Sequence, residues 1–191
     1  MLKSTPGLTI SWRYGHQENI CHTHLFGRYN FYNILAAIAT GLYFKIPTIQ
    51  INKAIGRFVP DNNRSQRIET AKNRIILDAY NANPVSMSEA LRSFSEYGPA
   101  NPWLILGDMF ELGKTSLAEH ENMIRLIEEL GFKNVILVGS DFYRLKGKSS
   151  FTTLASTEEA AGYLKSLSIK NADILVKGSR GMQLEKLLTF L

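Results

Sequence analysis

The sequence predicts an α/β protein in which helices cover a mostly parallel β-sheet. From residue 74 onwards, short apolar segments that are typical of buried strands alternate with longer segments of helical periodicity. Polar or glycine-containing turns follow most of the apolar segments, as expected where strands connect to helices. Residues 1–60 lack this alternation, and Pro60 to Asn63 have the composition of a turn. We therefore expect two parts, residues 1–60 and residues 61–191.

The first part is predicted to contain one strand and two helices. Leu8 to Trp12 is predicted to be the strand, and a polar link follows it. The first helix is predicted from Arg28 to Phe44. The second is predicted from Thr48 to Arg57, directly after Pro47, which suits a helix start. The first helix carries no charge from Tyr29 to Phe44, but this stretch is short for a membrane span and is interpreted as a buried helix.

The second part is predicted to fold as successive strand–helix units. Its apolar runs are short, which fits strands that are buried on both faces of a parallel sheet. The predicted strands are residues 74–77, 103–106, 134–138, 151–154 and 173–176. The predicted helices are residues 86–97, 116–130, 157–166 and 182–191. In this order, the helices serve as crossovers between parallel strands.

Composition and charge narrow the class of partner. Hydrophobic residues make up 45% of the chain and charged residues 20%, as in an ordinary globular protein. The net charge of +5 indicates an anionic partner. The Lys and Arg residues are scattered and form no nucleic-acid-binding motif, so small phosphorylated ligands are favoured over nucleic acid. The single cysteine, Cys21, cannot form an internal disulfide, which predicts a reducing, cytoplasmic setting. Met1 to Pro6 contain no apolar segment of the kind found in signal peptides, so no signal peptide is predicted.

The binding face is expected at the carboxyl ends of the predicted strands, where open α/β sheets bind ligands. Four polar loops follow strands there: Asp78 to Pro84, Gly107 to Gly113, Gly139 to Asp141, and Lys177 to Gly181. The last of these is predicted to open a helix, where free N–H groups and two cations would form an anion or carboxylate site. The alternative is that Ser179 only caps the helix and the cations are solvated.

Carboxylate and amide side chains in these regions have two interpretations each. Asp78 could accept hydrogen bonds from ribose hydroxyls or hold a cation, or it could be an Asx-turn residue, and Asn81 and Asn83 share this ambiguity. Asn30 and Asn33 lie three residues apart on a predicted helix and so share a face. Their carboxamides match the N6 and N7 edge of adenine, although a buried Asn that bonds the backbone is the alternative.

Two apparent motifs are rejected as sites. Gly107 to Thr115 ends in Gly-Lys-Thr like a phosphate-binding P-loop, but the spacing is one residue too long and Asp108 stands where the first glycine belongs. Bulky and acidic residues in this loop also oppose the wrapping of amides around phosphate. His120 has no second histidine at helical spacing, so it is not part of a zinc-protease helix and is expected to orient a loop or to be partly exposed. No metal ligands are predicted.

Taken together, the motifs resemble the Mur ligase family. The resemblance comes from five segments in family order: residues 27–39, 62–65, 78–87, 106–120 and 177–185. The third and fourth segments are similar to the branch that adds D-alanyl-D-alanine, and they count against a folate ligase or another Mur-type enzyme. The resemblance implies that residues 61–191 form a Rossmann-like domain with helices on both faces. Residues 1–60 would belong to the end of a central ATPase domain.

The resemblance also implies a reaction. ATP, supported by Mg²⁺, would phosphorylate the terminal carboxylate of UDP-N-acetylmuramoyl-tripeptide, and the amine of D-alanyl-D-alanine would displace the phosphate. Asn30 and Asn33 would then lie beside adenine and Asp78 beside the ribose. Arg64 would reach the ATP phosphates or the acyl-phosphate. The residues implied to place the dipeptide are Tyr80, Asn81, Asn83, Ser179 and Arg180.

The family's N-terminal UDP-binding domain, its P-loop and its magnesium ligands have no counterpart in this sequence. We therefore expect the 191-residue chain to be catalytically inactive alone, with the missing domains as partners and with apolar surface exposed on its first helix. A free-standing α/β module that binds a nucleotide or a dipeptide without catalysis is the alternative.

Overall fold

The predicted sheet is present in a computed structural model of the protein, which describes residues 7–191. In chain order, the elements are β1 (Thr9–Tyr14), β2 (Gln17–His22), α1 (Asn30–Tyr43), α2 (Thr48–Arg57), β3 (Gln66–Glu69), β4 (Arg74–Asp78), α3 (Pro84–Tyr97), β5 (Pro102–Gly107), α4 (Ser116–Glu129), β6 (Asn134–Val138), α5 (Ser140–Arg144), β7 (Thr152–Leu154), α6 (Thr157–Ser166) and β8 (Asp173–Lys177). The main sheet has the strand order β3-β4-β8-β5-β6-β7. Only β3 is antiparallel to its neighbour, which confirms the mostly parallel sheet.

Helices cover both faces of this sheet, as predicted. Helices α3, α4 and α5 pack on one face, around Phe94, Ile127 and Phe142. Helix α6 and the C-terminal residues pack on the other face, around Leu164 and Leu187. Successive residues of the central strands alternate between these two clusters, and every residue of β8 is buried. The short apolar runs in the sequence therefore reflect burial on both faces.

The segment before residue 60 has a hydrophobic cluster of its own. Strands β1 and β2 form an antiparallel hairpin, α2 packs against β2, and α1 packs against α2. The cluster contains Leu8, Ile10, Trp12, Cys21, Ile34, Ile38 and Ile51. Phe26 instead joins the cluster around Phe94, so it links this segment to the sheet. The division of the chain at residue 60 stays a prediction.

Three short elements differ from the sequence prediction, which treats their residues as connections. The expected polar link contains β2, in which Asn19 faces the interior and Ile20 is exposed, so the usual alternation is reversed. Strand β3 is an edge strand with a single apolar residue, Ile68, and so gives a weak signal. Helix α5 is only five residues long, and its first N–H groups are bonded by Asp108, a distant residue.

The prediction of an α-helix from residue 182 to the end is wrong. This segment forms 3₁₀ turns at Arg180–Met182 and Leu184–Phe190, and Gln183 between them has a left-handed backbone (φ 53). Side chains three residues apart align in a 3₁₀ helix. This alignment lets Leu184 and Leu187, both fully buried, pack against the same face of the sheet.

The expectation that α1 is a buried helix is also wrong. The helix buries one side, through residues such as Ile34 and Ile38. Its other side is open, with Tyr32 76% and Tyr43 81% exposed. The structure thus has the exposed apolar surface that was expected on this helix. No helix within residues 7–191 combines the length and apolarity needed to cross a membrane.

The cluster beneath α3 yields a stability prediction. Phe94 is fully buried, and its ring centroid lies 5.9 Å from that of Phe132 and 6.3 Å from that of Tyr97. Phe94→Ala should lower the free energy of unfolding by about 3–5 kcal/mol, because it removes buried contacts and leaves a cavity. Val85→Ala on the same helix, at a position 73% exposed, should change it by about 0.5 kcal/mol at most. Urea denaturation measures both; equal effects would contradict this packing.

Candidate functional site

The carboxyl ends of β4, β8 and β5 lie side by side. In the parallel register, Asp78 of β4 is opposite Lys177 of β8, and Lys177 is opposite Leu106 of β5. A cleft of about 250 Å³ opens at this edge. Its lining residues are Tyr29, Asn30, Asn33, Arg64, Ser65, Asp78, Tyr80, Asn81, Asn83, Ser86 and Lys177. The fold therefore brings the predicted Asn pair, Arg64 and the Asp78–Asn83 loop into one cleft.

A buried ion pair forms the base of this cleft. Lys177 is 1% exposed, and its Nζ donates to Asp78 Oδ2 at 2.6 Å and to the Asn81 carbonyl oxygen at 3.3 Å. The other oxygen of Asp78 accepts the Ser65 N–H at 3.0 Å. The two sequence interpretations made Lys177 either a solvated cation or an open anion-binding cation. The structure contradicts both, because Lys177 is buried and paired with Asp78. An ionised carboxylate offers about four acceptor positions, so Asp78 retains acceptor capacity toward the cleft.

Ser65 connects this ion pair to α1. Its hydroxyl lies 2.7 Å from the Tyr29 hydroxyl and accepts from Asn30 Nδ2 at 3.1 Å. Burial raises the pKa of the Tyr29 phenol above its ordinary value, and the nearby charge of Asp78 raises it further. The phenol therefore keeps its proton at neutral pH and can act as a donor. Sequence reasoning did not assign Tyr29 or Ser65 to the site, although both lie within motifs that it used, and it treated Lys177 as either an anion-binding or a solvated cation.

The two predicted adenine residues play different parts in the structure. Asn30 is buried, and its Nδ2 also donates to the Phe26 carbonyl oxygen at 2.7 Å, which is the backbone-bonded alternative. Its Oδ1 accepts from Asn33 Nδ2 at 2.9 Å. Asn33 is exposed and lines the cleft. Asn30 thus orients Asn33, and the carboxamide of Asn33 faces the opening.

The loop after β4 carries Tyr80, Asn81 and Asn83. Asn83 is the N-cap of α3: its Oδ1 accepts the Ser86 N–H at 2.8 Å, and Ser86 Oγ accepts the Asn83 N–H in return. Asn81 is exposed, and its Oδ1 accepts the Ala82 N–H at 2.9 Å. The guanidinium carbon of Arg64 lies 3.7 Å from the centroid of the Tyr80 ring. This stacking holds Arg64 at the mouth of the cleft.

The loop after β8 is arranged differently from the predicted anion site. It opens a 3₁₀ turn instead of an α-helix. Ser179 is buried, and its hydroxyl accepts the Phe110 N–H at 2.8 Å, so it anchors the loop after β5 and does not line the cleft. A Cβ atom on Gly178 would lie 3.0 Å from the Cα of Gly107, so glycine permits the close approach of these two loops. Arg180 is exposed and points to the Tyr80 ring, at 5.1 Å.

The loop after β5, which resembles a P-loop in sequence, has its amides bonded within the protein. The Met109 N–H donates to His120 Nε2 at 3.0 Å, and the Phe110 N–H is held by Ser179. His120 Nδ1 lies 2.7 Å from the Ser116 carbonyl oxygen, which assigns the proton to Nδ1. His120 thus orients a loop, as predicted, but it is fully buried. No group of three or more His, Cys, Asp or Glu side chains in the described chain is arranged to hold a metal ion.

A larger cleft, of about 610 Å³, lies between the start of α1 and α3. It shares Tyr29 with the strand-end cleft and contains the exposed ion pair between Arg28 and Glu96, at 3.3 Å. None of the predicted site residues lines it.

The comparison with known families concerns the part of the chain that forms the main sheet. A family model described as Mur ligase, glutamate ligase domain, matches residues 63–180. The chain belongs to the Mur ligase family. The matched segment runs from the turn that carries Arg64 to the loop that carries Arg180, and thus covers the whole main sheet.

Individual Mur ligases resemble most of the chain. The UDP-N-acetylmuramoyl-tripeptide--D-alanyl-D-alanine ligase of Rickettsia prowazekii is 34% identical over 131 residues, covering 66% of this chain and 29% of the relative. The Bacillus subtilis ligase of the same name is 31% identical over 182 residues, covering 90% and 39%. The crystal structure of MurF from Acinetobacter baumannii has a TM-score of 0.81 at 26% identity, covering 95% of this chain and 41% of that chain. The chain therefore spans well under half the length of these Mur ligases.

The ion pair at the base of the cleft yields a second prediction. Lys177→Met should lower the free energy of unfolding by about 3–5 kcal/mol, because it leaves the buried carboxylate of Asp78 without its cation. Adding Asp78→Asn in the same chain should recover part of this loss, because the uncompensated charge is then absent. Urea denaturation of the single and double variants provides the comparison. Strictly additive losses would show that the two side chains are not coupled.

A third prediction separates capping from ligand contact at Asn83. Asn83→Ala should lower the free energy of unfolding by about 1 kcal/mol, because the cap of α3 is lost. Asn83→Ser should keep the stability of the original chain, since serine caps about as well. Thermal unfolding followed by circular dichroism gives both values. A serine variant as unstable as the alanine variant would mean that the cap is not what Asn83 supplies.

Proposed function

We propose that this chain is the C-terminal, substrate-binding part of an ATP-dependent ligase that joins D-alanyl-D-alanine to UDP-N-acetylmuramoyl-tripeptide in peptidoglycan synthesis. The observation that carries the proposal is the single cleft that α1, the turn before β3 and the loop after β4 form together. The names of the Rickettsia and Bacillus relatives support the choice of substrates. The one cysteine, Cys21, is buried and unpaired, which suits the reducing cytoplasm where we place the reaction.

The nucleotide would occupy the side of the cleft that α1 forms. The carboxamide of Asn33 faces the opening and would pair with the adenine edge, with Asn30 fixing its orientation. Asp78 would accept a ribose hydroxyl with its remaining acceptor capacity. Arg64 would contact the terminal phosphate, to which its planar guanidinium can donate two parallel hydrogen bonds.

The dipeptide would occupy the side formed by the loops after β4 and β8. Asn81 is exposed at the cleft and would hydrogen-bond the dipeptide backbone, and Tyr80 would lie beside it. Arg180 would attract the dipeptide carboxylate. Asn83 and Ser179 would act indirectly, because Asn83 caps α3 and Ser179 holds the loop after β5.

In this reaction, the tripeptide carboxylate receives the terminal phosphoryl group of ATP and becomes an acyl-phosphate. The free amine of the dipeptide then attacks the acyl carbon, the C–N bond forms as the C–O bond to phosphate breaks, and the amine loses a proton. Mg²⁺ would neutralise charge on the phosphates. The described residues include no group of three or more His, Cys, Asp or Glu side chains that could hold a metal ion. Its ligands and the P-loop would belong to the domains that the longer relatives possess, with residues 1–60 as the end of the central one.

The proposal predicts stereoselective binding of the dipeptide. In an NMR titration of the labelled chain, D-alanyl-D-alanine should shift resonances of residues 78–83 and 177–182, and L-alanyl-L-alanine should not. Asn81→Ala should raise the Kd for the D,D-dipeptide about fivefold, since it removes a hydrogen bond worth about 1 kcal/mol. Asn122→Ala, on the exposed surface of α4, is the matched control and should leave the Kd unchanged.

Equal responses to the two dipeptides would contradict the dipeptide assignment. Selective binding is expected both of the ligase and of the free-standing binding module, so a second experiment must distinguish these two functions. In this experiment, the chain replaces the matching region of the Bacillus subtilis relative. Phosphate release that depends on D-alanyl-D-alanine would favour the ligase. Selective binding by a well-folded chimera that releases no phosphate would favour the module.

A further inference from the structure

Two arginines share one aromatic ring at the mouth of the cleft. The Cζ atoms of Arg64 and Arg180 lie 3.7 Å and 5.1 Å from the centroid of the Tyr80 ring. The three residues come from different segments: the turn before β3, the loop after β4 and the loop after β8. Both guanidinium groups are within the range of cation–π attraction. Their separation cannot exceed the sum of the two distances, so two like charges lie around the ring of Tyr80.

These charges are not neutralised by a neighbouring carboxylate. Within residues 7–191, neither Arg64 nor Arg180 has an Asp or Glu oxygen within 4.0 Å of its guanidinium. Both side chains are exposed. Two guanidinium groups held together in this way repel each other and favour an anion that accepts from both.

The backbone of Tyr80, whose ring contacts both arginines, is fixed by hydrogen bonds and burial. The Tyr80 N–H donates to the Asn63 carbonyl oxygen at 3.1 Å, which ties its backbone to the turn that carries Arg64. The two residues before it, Asp78 and Ala79, are buried, and Asp78 is fixed by Ser65 and Lys177. The backbone of Tyr80 is thus held by β4 and by the turn, while its ring is half-buried and faces both arginines.

We propose that Tyr80 is a positioning residue that sets Arg64 and Arg180 as a single anion-binding pair for a phosphoryl group. A phosphoryl dianion matches two cations, whereas a carboxylate carries only one charge. This inference rests on the proposed function, in which one phosphoryl group passes from the nucleotide side, near Arg64, to the acyl carbon that the dipeptide attacks, near Arg180. A guanidinium has five N–H donors, so Arg180 retains donors for the dipeptide.

The first test is a spectroscopic signature in the unmodified chain. The side-chain Nε–Hε resonances of Arg64 and Arg180 should both show upfield ring-current shifts. Tyr80→Leu should remove the shifts of both arginines, and Tyr80→Phe should retain them. Tyr143→Leu removes a ring that contacts another cation, Lys146, and is the matched control. Unshifted Nε–Hε resonances in the unmodified chain would overturn the proposal without recourse to a variant.

The second test uses inorganic pyrophosphate as the probe at low ionic strength. The resonances of Arg64 and Arg180 should follow one binding curve. The Kd should rise about fivefold in Tyr80→Leu and stay within about twofold in Tyr80→Phe, as expected from a cation–π contribution of about 1 kcal/mol. Arg180→Ala should weaken the response of Arg64, and this variant tests the pairing even if Tyr80→Leu does not fold.

Separate binding curves for the two arginines, or an unchanged Kd in Tyr80→Leu, would overturn the proposal. An acetate titration that matches the pyrophosphate titration would overturn the phosphoryl assignment, because the pair would then be a carboxylate site. Failure of the proposed function is distinguishable, since it is read from D-alanyl-D-alanine selectivity at Asn81 and not from pyrophosphate. Either result can therefore hold without the other.

Discussion

The other parts of the site depend on the buried ion pair between Asp78 and Lys177. Charges removed from water are costly unless they are paired and their remaining positions are hydrogen-bonded. Here the Ser65 N–H and the Asn81 carbonyl oxygen supply those bonds. One pair of charges therefore joins two parallel strands, the turn that carries Arg64 and the loop that carries Tyr80. The positions of both loops follow from a pairing that the sheet register imposes.

Polar contacts extend this arrangement to α1. Ser65 bonds Tyr29 and Asn30, and Asn30 in turn orients Asn33. Hydrogen bonds are directional, so they fix the angle of the helix relative to the sheet more narrowly than apolar packing alone. Phe26 supplies the apolar share of the same junction, against Tyr97, with ring centroids 6.2 Å apart. These contacts thus join the side of the cleft assigned to the nucleotide to the side assigned to the dipeptide.

Some features of the site were available in the sequence and are local. Asn83 precedes Pro84 and stands three residues before Ser86, a pattern typical of a capped helix start, and the structure has this cap. The prediction nevertheless begins α3 at Ser86, because apolar periodicity starts later than the cap. Ser179 differs: its partner, the Phe110 N–H, is 69 residues away in the chain, so no local pattern indicates that its hydroxyl anchors another loop.

The amino-acid sequence was sufficient to infer the α/β class, the order of most strands and helices, the edge of the sheet that carries polar loops, and the resemblance to the Mur ligases. The position of β8 between β4 and β5 could be seen only in the folded structure, and this position buries Lys177 against a carboxylate 99 residues away. The same is true of the contact of Arg64 and Arg180 with the ring of Tyr80. Periodicity reports whether each face of a segment is buried. Strand order sets which distant side chains meet, and the residues of one segment do not encode that order.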